Sequence, residues 1–400
     1  MHIIYNISKK AILLLFFLSI SLFSWAQTIN FTFVDGANEK YYFHVFNGLK
    51  SDTISSGTVS ASGKGEIIIP KRYRGIPAMG ALTIAGKQDV NVILENKNFS
   101  FRVDSDHRVT FLGSKENELL NNQQEGVLLE QNKGTFAQAY VKTLQAISEV
   151  AKVMTNQGRS SLFDRSNARI SLVRELDVDK LYYSRFWYYA IDGLLKLSIG
   201  QEGFANDMNQ LLDRTKTEKV YVALLEDLIM LTSQYGLEDA FDLIVMHAKE
   251  SNRIEYPQGS VFDAFTMMKV RKGTMAPEIK GLSATSKVYN YSLLLFHQPG
   301  CDHCHEQLTQ LNENSPFFAD KKVRIISISG AMDKKTFDEE QKMFKWNDKL
   351  NDLKGFAGEN FMNFGVVATP VLYLLDAKGK VVGRFSSVLD VQKHILEANK

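Results

Sequence analysis

Two cysteines occur in the 400 residues, Cys301 and Cys304, and they form a single C-x-x-C pair. The apolar run Tyr291 to Phe296 before them has the length of a buried strand, Pro299-Gly300 makes a turn, and a helical period follows. On that helix Cys304, Leu308 and Leu311 fall at i, i+4 and i+7, which turns Cys304 inward and leaves Cys301 at the exposed first turn. Residues three apart on a helix have neighbouring side chains, close enough for a disulfide to open and close with little backbone movement. A thiol at a helix N-terminus faces unpaired backbone N–H groups and the positive end of the dipole, which favour its thiolate. The pattern describes a nucleophile with a resolving partner.

Other chemistry fits the same residues less well. Cys301-Asp302-His303-Cys304-His305 satisfies the C-x-x-C-H attachment pattern of c-type haem. That pattern needs an enclosing pocket, whereas here it sits at a strand-to-helix turn. Zinc would have to draw His297, His303 or His305 to both sulfurs within one turn, at a cost in tetrahedral geometry. A purely structural disulfide is the remaining alternative, but closing so short a loop restricts the unfolded chain little. There is no Walker-type loop, no G-x-G-x-x-G after a strand and no G-x-S-x-G elbow, so nucleotide binding and serine hydrolysis find no support.

The elements that must hold the pair lie in residues 273–400. After the strand at Tyr291 and the helix at Cys301 come a strand Val323 to Ser329, a helix from Asp333 to about Phe344, and a helix around Glu359 to Phe364. Strands Val371 to Leu375 and Val381 to Phe385 follow, and a helix from Val388 to Ala398 closes the domain. Strand, helix and parallel return, then a hairpin and a closing helix, predict an α/β sandwich.

Three motifs in order now carry a resemblance. Gly273-x-x-Ala276-Pro277, the strand running into Cys301-x-x-Cys304, and Ala368-Thr369-Pro370 before an apolar strand resemble the thioredoxin superfamily. Within it they are most similar to the extracytoplasmic TlpA-like thiol-disulfide oxidoreductases. The resemblance covers about 125 residues, the last third of the chain. It implies Cys301 as attacking thiolate and Cys304 as resolving thiol. It also implies a cis Thr369-Pro370 bond forming the substrate-side wall against the disulfide, and no metal or organic cofactor. His303, placed between the cysteines as in the family's oxidant members, would stabilise the thiolate, and Asp302 would oppose it; both are modulating residues. The family's buried acid six residues before the first cysteine is replaced here by Leu295.

Upstream, residues 27–113 hold six strand-sized runs separated by Gly, Asn, Asp and Ser turns, which predict a β-sandwich or barrel. This part resembles the small β-domain of unknown function that precedes thioredoxin domains in bacterial envelope proteins. Residues 114–270 change to a helical period, with one helix expected across Leu172 to Ile199. Within it the aromatic cluster Tyr182 to Tyr189 must bury at least one face, in the helical core or at a seam; a partner surface is the alternative. The fold class is thus multidomain α+β: a β-rich N-terminal part, an all-α middle and a C-terminal thioredoxin-like α/β sandwich.

Residues 1–26 read as a cleavable secretory signal: Lys9-Lys10, the apolar run Ala11 to Phe23, and Ser24-Trp25-Ala26 before Gln27. No cysteine near the cleavage point would take a lipid, so the expectation is a periplasmic or extracellular protein without stable membrane insertion. Removal of this segment leaves 45 basic and 45 acidic residues, a balance that offers no footprint for nucleic acid. The expected activity is thiol-disulfide exchange with client protein thiols or disulfides, supported by a redox partner protein. The competing expectation is an envelope binding protein whose disulfide is structural or regulatory.

Overall fold

The computed structural model describes residues 27–121, 131–155 and 161–398; the expected signal segment lies outside them. The chain divides into two compact units, one ending at Ser198 and one beginning at Ile199, so the helical stretch 114–270 is shared between them.

In the first unit, β1 (Gln27–Phe33), β2 (Lys40–Asn47), β3 (Lys50–Thr58), β4 (Lys64–Ile69), β5 (Ala78–Ile84), β6 (Val90–Leu94), β7 (Phe99–Val103) and β8 (Val109–Leu112) form two four-stranded sheets. Their orders are β4-β1-β7-β8 and β3-β2-β5-β6. Alternate residues of β1 turn inward, placing Ile29, Phe31 and Phe33 in the core. The sheets meet through Phe31 and Tyr41, whose rings lie edge to face at 5.1 Å, and the Tyr41 hydroxyl donates to the Glu66 carbonyl at 2.6 Å. Gly65 leaves room for the Phe31 ring, which a Cβ at that position would overlap. All six expected runs become strands. β3 and β8 join them unannounced, because both are edge strands with half-exposed or exposed residues and so lack an apolar rhythm.

The helices of this unit are α1 (Lys115–Asn121), α2 (Phe136–Thr155), α3 (Leu162–Glu175), α4 (Val178–Tyr182) and α5 (Trp187–Leu197). The helix expected across Leu172 to Ile199 is therefore broken twice. Asp177 caps α4 by accepting the Lys180 N–H, which ends α3. The second break is held by the sheet β3-β2-β5-β6: the N–H of Gly48, in the turn between β2 and β3, donates to the Tyr182 carbonyl and Met79 N–H of β5 to the Tyr183 carbonyl, each at 2.8 Å. The aromatic cluster thus forms a seam, with Trp187 and Tyr183 buried and Tyr188 and Tyr189 facing outward.

The second unit opens with α6 (Gly200–Arg214), α7 (Glu218–Gln234), α8 (Glu238–Glu250) and α9 (Gly259–Met267). The remainder runs β9 (Tyr291–His297), α10 (Asp302–Glu313), α11 (Ser315–Asp320), β10 (Val323–Ser329), α12 (Lys334–Glu340), β11 (Asp348–Leu350), α13 (Glu359–Asn363), β12 (Val371–Asp376), β13 (Val381–Phe385) and α14 (Val388–Glu397). Its sheet has the order β11-β10-β9-β12-β13: β9, β10 and β11 run parallel, β12 pairs antiparallel with β9, and β13 pairs antiparallel with β12. β9 lies at the centre and is buried on both faces, which is why it reads as a continuous apolar run. Leu293 and Leu295 pack under α10 and α14 with Leu308, Leu311 and Ile395, and Leu294 and Phe296 pack on the other face with Phe361, Phe364 and Tyr373. Each of these four β9 side chains contributes about 1.5–3 kcal/mol by burial, so the strand that carries the cysteine turn is firmly fixed.

Candidate functional site

The site begins where β9 ends. Gly300 sits at φ +73, a conformation natural to glycine, and turns the chain into α10. Cys301 is the N-cap of that helix: its sulfur accepts the Cys304 N–H at 3.1 Å, one of the amides a helix start leaves unpaired. The two cysteines form a disulfide across a Cα separation of 5.2 Å. Cys304, Leu308 and Leu311 are buried on the inward face of α10, as their spacing predicts, while Cys301 is half-exposed. Cys301 and Cys304, expected from sequence to attack and to resolve, are thus half-exposed and buried respectively.

The Thr369-Pro370 bond is cis, and the Thr369 carbonyl oxygen lies 3.8 Å from the Cys301 sulfur. A contact spanning 68 residues of sequence therefore brings the residue before Pro370 against the disulfide. Behind it Gly365, at φ +63, passes so close to the end of α9 that a Cβ would overlap the Thr266 carbonyl. The segment at Gly273 to Pro277 runs beside β13, with Gly273 N–H donating to Val381 O at 2.8 Å and Ala276 N–H to Gly379 O at 3.0 Å. All three sequence motifs thereby belong to one sheet and its turn. The fold is thioredoxin-like.

Asp302 and His303, expected to modulate the thiolate, stand exposed on the first turn of α10. The His303 side chain is 86% exposed, and its Nδ1 lies 3.8 Å from a Glu306 carboxylate oxygen. Two residues near the turn were not assigned a role in exchange from sequence. His297, the last residue of β9, is 1% exposed, and Glu340, at the end of α12, places Oε1 3.5 Å from His297 Nδ1. The signal was available: an ionisable side chain closes an otherwise apolar strand four residues before Cys301.

Beneath the Pro370 side, Arg384 of β13 reaches α8. Its side chain is 8% exposed, and the guanidinium lies 2.8 Å from Glu238 and 3.3 Å from Asp242, with Phe241 4.9 Å away as a cation–π partner. Burial pushes the Asp242 carboxyl up, against the pull of Arg384. Tyr373 of β12, whose hydroxyl donates to the Phe364 carbonyl at 3.1 Å, is pushed up by burial to about 12.

No protein-family profile and no curated protein sequence matches the chain. Solved structures do resemble it. A thioredoxin-like protein from Bacteroides caccae is 18% identical over 53% of this chain and 82% of its own, with a TM-score of 0.41. A thiol:disulfide interchange protein from Bacteroides sp. is 22% identical over 32% of this chain and 91% of its own, at 0.28. A thiol-disulfide oxidoreductase from Bacteroides fragilis is 22% identical over 28% and 86%, at 0.25.

Proposed function

We propose that this protein is a thiol-disulfide oxidoreductase acting on the thiols or disulfides of client proteins. One observation carries the reading: a half-exposed sulfur at a helix N-cap is bonded to a buried sulfur one turn on and flanked by the Thr369 carbonyl. In the reduced state Cys301 thiolate is stabilised by the Cys304 N–H and by the helix terminus. It attacks one sulfur of a client disulfide, and the other client sulfur leaves as a thiolate. Cys304 then attacks Cys301 in the mixed disulfide, regenerating the intramolecular disulfide and freeing the reduced client. Read backwards, the same steps oxidise a client dithiol. A separate redox partner protein resets the pair in either direction.

Cys301→Ser is expected to abolish the protein's acceleration of insulin reduction by dithiothreitol, leaving only the uncatalysed background. Cys304→Ser should retain attack and accumulate a mixed disulfide that non-reducing gels display. A wild-type protein without activity in that assay would favour the binding-protein reading.

The same proposal places the protein outside the cytoplasm, on the strength of the leader pattern in residues 1–26. Expression in a bacterium with intact export should yield a mature chain whose first residue is Gln27 by mass spectrometry. Recovery of the uncut chain in the cytoplasm would defeat it.

A further inference from the structure

We infer that the buried His297 imidazole, backed by Glu340, accepts the proton of Cys304 when that thiol attacks the mixed disulfide. The inference rests on the exchange reading above. The thiolate is the nucleophile, so the resolving sulfur must first give up a proton. Cys304 is fully buried, which denies water that task in the closed site.

His297 is placed to perform it. Alternate residues of a strand share a face, so His297 lies on the side of β9 that carries Leu293 and Leu295. That side packs against the inward face of α10, where Cys304, Gln307, Leu308 and Leu311 are buried. The Phe344 ring of the same apolar cluster stands perpendicular to the imidazole at 5.8 Å, and its loop is tied to α10 by Asn312 Nδ2 donating to the Met343 carbonyl at 2.9 Å. The imidazole therefore lies on the face of the sheet that α10 covers, the face to which Cys304 also turns.

Its electrostatic setting suits a proton acceptor. Nδ1 of this buried ring has no hydrogen-bond partner among the described residues, an arrangement that ordinarily costs stability. Glu340 Oε1, 3.5 Å away, becomes an ion-pair partner once the ring is charged. The other Glu340 oxygen accepts from Ser329 Oγ at 3.2 Å, which fixes the carboxylate, and that side chain is 16% exposed. From α10 the titratable group on this side is Cys304, and from α12 it is Glu340; β10 contributes uncharged Ser329, and the aromatic loop contributes Phe344. His303 and His305 are exposed on α10.

The step balances. The Cys304 proton moves to the imidazole, the Cys304 sulfur bonds to Cys301, and the bond between Cys301 and the client sulfur breaks with its electron pair leaving on the client. Two electrons pass from the cysteine pair to the client disulfide, and the imidazolium returns its proton to the departing thiolate or to water.

The test uses the reduced full-length protein and an aromatic disulfide, 5,5′-dithiobis(2-nitrobenzoate), which releases one coloured thiolate when Cys301 attacks and a second when Cys304 resolves. His297→Phe and His297→Gln are expected to leave the first release unchanged and to slow the second about 10²-fold near neutral pH. The deficit should narrow as pH rises beyond about 8.5, the ordinary thiol value, because hydroxide then takes the proton that the imidazole would have accepted. Glu340→Gln should slow the second release by a smaller factor with the same narrowing. A second release that is equal in variants and wild type, or slowed by one factor at every pH, overturns the inference while leaving exchange itself intact. Absence of the first release in wild type would overturn the exchange reading and this inference together.

Discussion

In the exchange proposed above, Cys301 is both nucleophile and helix cap, through the same atom. Because its sulfur accepts the Cys304 N–H, the residue that starts α10 is also the one whose thiolate that start would stabilise once the pair is reduced. Chemistry and local structure share their cause here, and composition alone would not reveal it. Tyr373 has a different effect. Its folded-state value of about 12 lies above an ordinary tyrosine near 10, so its contribution is fully present below about pH 10 and is lost as pH rises through about 12. The difference corresponds to about 2–3 kcal/mol. Tyr373→Phe is expected to cost about 1 kcal/mol at neutral pH through the lost bond to Phe364, and to flatten the alkaline decline. Urea unfolding at a series of alkaline pH values reads both effects; an unchanged decline in the variant would assign the loss to other groups.

At the scale of elements, the critical joint is between β13 and α8. Removing Arg384 strands two carboxylates of intermediate exposure and empties a contact against Phe241. Arg384→Met should destabilise by about 2–3 kcal/mol, short of the 3–5 of a wholly enclosed pair because Glu238 and Asp242 retain some solvent. Denaturant midpoints check this, and a change under about 0.5 kcal/mol would mark the joint as superficial. This joint was invisible in the sequence, since Arg384 and Glu238 are 146 residues apart and neither stands in a pattern. The turn at Gly300, the inward face of α10 and the closing hairpin were legible, because periodicity and turn residues act over a few positions. Edge strand β3, Lys-Ser-Asp-Thr-Ile-Ser-Ser-Gly-Thr, was not, because a strand exposed to water needs no apolar alternation to pair with β2. The break at Tyr182-Tyr183 was missed for a related reason: amides of a distant turn and a distant strand take its carbonyls, and helical spacing continues through it.

On the scale of the molecule, the helices α6 to α9 belong with the sheet that bears the cysteines. A fragment beginning at Ile199 is therefore expected to unfold cooperatively in a thermal melt followed by circular dichroism. One beginning at Gly273 lacks Glu238, Phe241 and Asp242 and should melt at a lower temperature, by at least the shift of Arg384→Met. Equal melting temperatures would show that α6 to α9 lend the sheet no support. The other unit carries a consequence for biogenesis. Amides of Gly48 and Met79 find their acceptors on Tyr182 and Tyr183, so a nascent chain must lengthen by roughly a hundred residues beyond Met79 before that seam is satisfied. Until then the sandwich waits with open donors, and the interval is a window in which a chaperone or a wrong strand competes for them.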